Sequence, residues 1–262
     1  TNGNPSGYIF TGQTKNASSD IWLIKTDVGG VSCAVSGIGS SACIYSGAGN
    51  VCCSNGSSQF VSVFGGTGTD EGRSVTQNWS SGVPSGFALV GTQYKDAANR
   101  NDIALIKTDS TGFSTTNPSE VNFYQRLYGG TQDDNGYSVG WSGINILVGG
   151  LTKSWTSPTF NSDFWLLKII PGSKGDACPY SGANGNCVNS FGAFVQRYGL
   201  DGNDAGLAIA DGGVVLAGFG DKSATASSDV WLISANLLNG TTCDYSGGSC
   251  SADSTRVSGR QI

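Results

Sequence analysis

A short run that is apolar on both faces recurs four times, and it constrains the fold more than any other feature. It reads Asp20-Ile-Trp-Leu-Ile-Lys-Thr-Asp27, Asp102-Ile-Ala-Leu-Ile-Lys-Thr-Asp109, Asp163-Phe-Trp-Leu-Leu-Lys168 and Asp229-Val-Trp-Leu-Ile-Ser234. Each copy is too short for a helix and is bounded by Ser, Asn, Asp and Gly, so it reads as a strand buried on both faces. The aspartate that opens each copy follows Ser or Asn, which suits a turn where the carboxylate accepts local backbone N–H groups. We refer to these runs as core strands.

The surroundings of the core strands repeat as well. Upstream lies an apolar run ending in glycine: Tyr8-Ile-Phe-Thr-Gly12, Phe87-Ala-Leu-Val-Gly91, Ile146-Leu-Val-Gly149 and Val214-Val-Leu-Ala-Gly218. Downstream an aromatic precedes glycine, in Phe60–Gly65, Phe123–Gly129 and Phe194–Gly199. A fourth run opens on Asp-x-Gly: Asp70-Glu-Gly-Arg-Ser-Val75, Asp134-Asn-Gly-Tyr-Ser-Val139 and Asp204-Ala-Gly-Leu-Ala-Ile209. The core strands begin 82, 61 and 66 residues apart, the period of a large propeller blade. The expected fold is all-β: one domain, a small β-propeller of about four blades with four antiparallel strands each. Its units fall at approximately 1–65, 66–129, 130–199 and 200–262, and residues 254–259 are the expected outer strand of the last. The first unit lacks the Asp-x-Gly strand that the other three possess.

Cysteine usage indicates the setting. Cys43…Cys52, Cys178…Cys187 and Cys243…Cys250 share the form Cys-x-Tyr-Ser-Gly…Cys around a Gly-rich turn, and Cys33 and Cys53 remain to pair with each other. Four such bridges imply an oxidising, extracellular environment. A zinc site is disfavoured by the spacings and by the lack of any histidine. Sequons at Asn16, Asn55, Asn78 and Asn239 agree with a secreted glycoprotein. The chain begins at Thr1 and holds no methionine, as expected of a mature or trimmed product. A net charge of −5 argues against nucleic acid and anionic membrane as partners, and no apolar run has the length of a membrane span.

The succession Gly-Gly, Asp-x-Gly-x-Ser-Val, apolar-Gly and Asp-x-Trp-Leu-Ile-Lys resembles the long-repeat β-propellers found in secreted and surface proteins of bacteria and archaea. Residues 65–75, 86–91 and 102–109 carry the resemblance best, matched by 129–139, 146–149 and 163–168. The resemblance implies a fold rather than an activity. A more distant likeness to Kelch propellers rests on the double glycines Gly65-Gly66 and Gly129-Gly130.

The residues point away from enzymatic chemistry. Without histidine there is no Ser-His-Asp or Cys-His arrangement, and the cysteines are taken up by bridges. A glycosidase-type carboxylate pair is conceivable, but Asp70, Asp134 and Asp204 recur at one repeat position, which points to a turn role. Weak calcium candidates are Asp133, Asp134, Asp201 and Asp204, whose spacing is not that of an EF-hand; no other cofactor is implied. Trp22, Trp165 and Trp231 lie in core strands and suit packing between blades, whereas Trp79, Trp141 and Trp155 are candidates for stacking on sugar rings. The expectation is a non-enzymatic extracellular structural or adhesive module, such as the repeating subunit of a fibre. It would self-associate through the incomplete first blade; the alternative is a carbohydrate-binding propeller.

Overall fold

In the computed structural model the chain forms four antiparallel sheets, and no helix occurs among the described residues. The structure describes residues 7–13, 19–32, 51–54, 59–80, 83–97, 100–117, 119–154, 161–170, 187–188, 193–198, 203–210, 214–221, 228–235 and 259–261. The first sheet holds β1 (Ile9–Gln13), β2 (Ile21–Lys25), β3 (Val51–Ser54) and β4 (Phe60–Phe64) in the order β1-β2-β4-β3. The second is a meander of β5 (Glu71–Ser80), β6 (Val83–Asp96), β7 (Arg100–Thr108) and β8 (Tyr124–Tyr128). The third contains β9 (Asp134–Ser142), β10 (Asn145–Thr152), β11 (Asp163–Ile169), β12 (Cys187–Val188) and β13 (Phe194–Tyr198) in the order β9-β10-β11-β13-β12. The fourth is a meander of β14 (Asp204–Ile209), β15 (Val214–Asp221), β16 (Ser228–Ala235) and β17 (Gly259–Gln261).

The core strands are apolar on both faces because each of the middle sheets is covered twice. Alternate residues of a strand point to opposite faces. On the second sheet Phe87, Leu89, Ala104 and Ile106 pack against Ile21, Leu23, Phe60 and Phe64 of the first. The intervening residues Ala88, Val90, Ile103 and Leu105 pack against Val139, Val148, Trp165 and Leu167 of the third. Phe164, on the far face of the third sheet, is fully buried against Gly218 of the fourth, where a Cβ would run into its ring. Burial of one such side chain contributes about 1.5–3 kcal/mol, so these two-sided strands are the main source of cohesion. Trp165 thus packs between sheets as expected; Trp22, on the outer face of the first sheet, is only half-buried.

Consecutive sheets meet through the first strand of the later one. β5 lies against β1 and β2, β9 against β5, β6 and β7, and β14 against β9, β10 and β11. A serine hydroxyl joins these first strands: Ser74 Oγ accepts the Val139 N–H at 3.3 Å, and Ser138 Oγ accepts the Ile209 N–H at 3.1 Å. Beyond the core strand, Asp27 Oδ1 accepts the N–H groups of Gly29 and Val31, both at 2.9 Å. Asp109 Oδ1 does the same for Thr111 at 2.8 Å and Phe113 at 3.0 Å. The Lys-Thr-Asp ending is therefore a strand terminator with its own cap.

The outer strand of the last sheet is described over Gly259–Gln261, pairing Gln261 with Trp231 and Gly259 with Ile233; of the expected 254–259, residues 254–258 lie outside the described residues. In the other three sheets outer-strand register follows apolar pairing with the core strand, as in Ile21↔Phe64, Ile103↔Tyr128 and Phe164↔Tyr198. One expectation needs correction: not all sheets have four strands in one pattern. β3 and β12, short segments ending the cysteine-rich insertions, add at the outer edges of β4 and β13, so the third sheet has five strands.

Candidate functional site

Three features bear on function: buried carboxylates at the sheet junctions, the sequence-nominated ligand residues, and an incomplete edge on the first sheet. The aspartates that lead into the first strands, Asp70, Asp134 and Asp204, are completely buried. Asp70 accepts the Gly66 N–H at 2.6 Å and the Tyr94 N–H at 2.8 Å, tying its Gly-Gly turn to the far end of β6. Asp134 accepts the Gly130 N–H at 2.9 Å, the Ser154 hydroxyl at 2.5 Å and the Lys153 N–H at 3.2 Å. The turn role inferred from repetition is the observed role of these two residues.

The core-strand aspartates meet them from the preceding sheet. A Cβ on Gly65 would strike the carboxylates of both Asp20 and Asp70, and one on Gly129 those of Asp102 and Asp134. Glycine there lets two carboxyl groups approach across a sheet junction. The expected backbone-capping role of the core-strand aspartates is not what Asp102 and Asp163 display. Asp102 faces the Lys95 ammonium at 3.4 Å with its Oδ1 unpartnered, and Asp163 faces Arg197 Nε at 3.0 Å. Burial pushes Asp70, Asp102 and Asp163 up to about 6. Hydrogen bonds from Gly66 and Tyr94 oppose this at Asp70, and Lys95 and Arg197 oppose it at Asp102 and Asp163, while Asp20 and Asp134 add repulsion to Asp70 and Asp102. Asp134 is raised too, again by burial. Carboxyls that hold protons near pH 6 can serve acid–base chemistry. These, however, recur along the sheet junctions and are sealed from solvent, which fits proton sharing inside a scaffold. Sequence reasoning missed the pairing, although the glycines after the outer strands signalled it.

Of the calcium candidates, Asp133 is engaged by Asn101 Nδ2 at 3.1 Å and Arg100 at 3.8 Å, and Asp134 by the donors above. Asp204 is buried, and Asp201 lies outside the described residues. Among the described residues no group of three or more acidic, cysteine or histidine side chains could hold a metal. Among the sugar-stacking candidates, Trp141 is half-buried and packs against the cluster between the second and third sheets. Trp79 is placed by its backbone opposite Pro84, and Trp155 lies outside the described residues. Asn78 is half-buried opposite Gly86; Asn16, Asn55 and Asn239 lie outside. Cys52 and Cys53 are on β3 and Cys187 on β12, with backbone alone described. Cys33, Cys43, Cys178, Cys243 and Cys250 lie outside, so the bridge assignments are untouched by the structure.

Among the described residues the first sheet has no counterpart of β5, β9 or β14. β1 is bonded to β2 on one side and to no strand among the described residues on the other. Register with the core strand equates Phe10 with Leu89 and Val148, since these stand opposite Ile24, Ile106 and Leu167. Leu89 and Val148 are wholly buried, whereas Phe10 is 52% exposed and its neighbour Tyr8 54%. The same holds at the other end of the array. Val230 occupies the position of Ile21, Ile103 and Phe164; those three are fully buried, and Val230 is 57% exposed. No protein-family model matches the chain, and no curated protein matches its sequence.

Proposed function

We propose that this chain is a non-enzymatic extracellular structural or adhesive module, a repeating subunit of a surface fibre or filament. The observation that carries the reading is the outer edge of β1, which pairs with no strand among the described residues. An edge strand of a sheet in a stable array presents unpaired N–H and C=O groups and invites a strand from another chain. In the other sheets that edge position is taken by β5, β9 or β14. In this reading the four sheets are the blades of a small β-propeller with one strand position left for a neighbour. The cysteine-rich insertions are disulfide-closed loops, and occupied sequons make the surface glycosylated. The burial of the aspartates at sheet junctions supports a scaffold role for groups that could otherwise suggest a glycosidase.

Size-exclusion chromatography with light scattering, followed by electron microscopy of the purified chain and of native material, tests the reading. Concentration-dependent oligomers that grow end to end are expected. A chain that stays monomeric at every concentration while binding defined sugars on a glycan array would replace this reading with the carbohydrate-binding one.

A further inference from the structure

At the junction of the second and third sheets two carboxyl groups meet over a glycine. A Cβ on Gly129 would stand under 3.0 Å from both Asp102 Oδ1 and Asp134 Oδ2, so these oxygens face each other across the space that glycine leaves open. Asp102 and Asp134 are buried, 1% and 0% exposed. The two are chemically unequal. Asp134 Oδ2 accepts the Gly130 N–H at 2.9 Å and the Ser154 hydroxyl at 2.5 Å, and its Oδ1 accepts the Lys153 N–H at 3.2 Å. An N–H can only donate, so these bonds favour the ionised carboxylate. Gly130 divides its N–H between Asp134 Oδ2 and Ser154 Oγ, at 2.9 and 3.1 Å, which leaves Oδ2 room for one more donor. Asp102 Oδ1, by contrast, has no hydrogen-bond partner among the described residues. A buried carboxylate oxygen without a donor is costly, whereas a buried carboxylic acid needs only an acceptor for its hydroxyl. That acceptor is in place.

We infer that Asp102 carries a proton on Oδ1 and donates it to Asp134 Oδ2, and that this hydrogen bond is a latch between the second and third sheets which loosens when the proton is lost to solvent. Latched, the pair bears one negative charge. Loss of the proton leaves two carboxylates facing each other without a hydrogen between them, and that end of the junction opens to admit water. The surrounding charges set the direction. Lys95 on β6 lies 3.4 Å from Asp102 Oδ2 but is 42% exposed, so water screens it. Asp96 on the same strand and Asp134 ahead of β9 both oppose ionisation of Asp102. Asp133 is engaged by Arg100 at 3.8 Å and by Asn101 Nδ2 at 3.1 Å. With burial the largest influence, the Asp102 carboxyl is pushed up to about 6. The same two atoms, Oδ1 of the core-strand aspartate and Oδ2 of the first-strand one, meet over Gly65, where Asp20 faces Asp70. The latch belongs to the single chain and stands or falls independently of assembly.

Hydrogen exchange on the full chain, corrected for the intrinsic pH dependence of amide exchange, tests the latch at the Gly130 and Lys153 N–H groups. Opening releases a proton between the value of a free aspartate, about 4, and that of the closed pair, about 6. The opening constant should therefore rise about tenfold per pH unit over that range, about a hundredfold in all, and level off above it. Two variants separate a shared proton from plain repulsion between like charges. Asp102→Asn keeps an N–H donor for Asp134 and has no proton to lose, so its exchange should stay slow and flat from pH 4 to pH 8. Asp134→Asn takes away the carboxylate to which Gly130, Ser154 and Lys153 donate, so exchange there should be faster at every pH. Repulsion alone would have both variants slow exchange alike. Infrared difference spectra give a second reading: a protonated-carboxyl band lost between pH 5 and pH 8 should weaken in Asp102→Asn. A flat native profile, an Asp102→Asn profile that still follows pH, equal slowing by both variants, or a band unchanged by Asp102→Asn would each overturn the inference.

Discussion

At the scale of single residues, the chain is organised by carboxyl groups that it buries next to one another. Asp70, Asp102 and Asp163 hold their protons up to about pH 6, whereas in the unfolded chain they release them near 4. The folded state therefore binds more protons between those values. The stability these groups contribute is complete below about pH 4 and is lost as pH rises through about 6. Asp102→Asn tests this, because an amide placed beside the Asp134 carboxylate can donate to it without carrying charge. Lys95, largely solvated, loses a partner at little cost. Denaturant titration at pH 4 and pH 8 should show the variant about 1–2 kcal/mol more stable than the native chain at pH 8, with a flatter pH profile. A variant less stable than native at pH 8 would remove burial of the ionised carboxylate as the source of the pH dependence.

At the scale of elements, the core strand behaves according to how many neighbours its sheet has. Ile103 is fully buried between the second and third sheets, and Val230, its equivalent in β16, is more than half exposed. Ile103→Ala should cost about 2–5 kcal/mol, since it opens a cavity in a packed junction. Val230→Ala should stay within about 0.5 kcal/mol, as at other exposed positions. Thermal melts of both variants check the contrast, and a large loss at Val230 would mean that the fourth sheet is covered in solution. The shortest elements were illegible in sequence for a related reason. β3 and β12 have too few residues for a pleat pattern and exist because β4 and β13 present edges for them to extend.

At the scale of the whole molecule, the expected disulfides tie insertions to the sheets rather than sheets to one another. Peptide mapping of unreduced protein should find Cys33–Cys53, Cys43–Cys52, Cys178–Cys187 and Cys243–Cys250. Chain-entropy arguments assign about 2–3 kcal/mol to each short loop. Gentle reduction should therefore raise hydrogen exchange in the insertions before it does so in β6, β7, β10 and β11, whose side chains supply the two core clusters. A bridge joining two units would instead make the disulfides part of the array itself.

The repetition of the chain, by itself, determined the β class, the four sheets and the repeated strands within them, but not the short β3 and β12. A run such as Ile103–Ile106, apolar at every position, has one stable use: burial on both faces within a stack of sheets. What no local pattern could state is which faces find a neighbour. Phe10 and Leu89 belong to the same motif and differ from exposed to buried only because one sheet has another before it. The aspartate pairs likewise join residues of successive units whose carboxyl groups meet only after the sheets have stacked, over glycines that leave room for them. Local sequence specifies a strand and its two faces; the tertiary arrangement decides whether each face, and each edge, is covered.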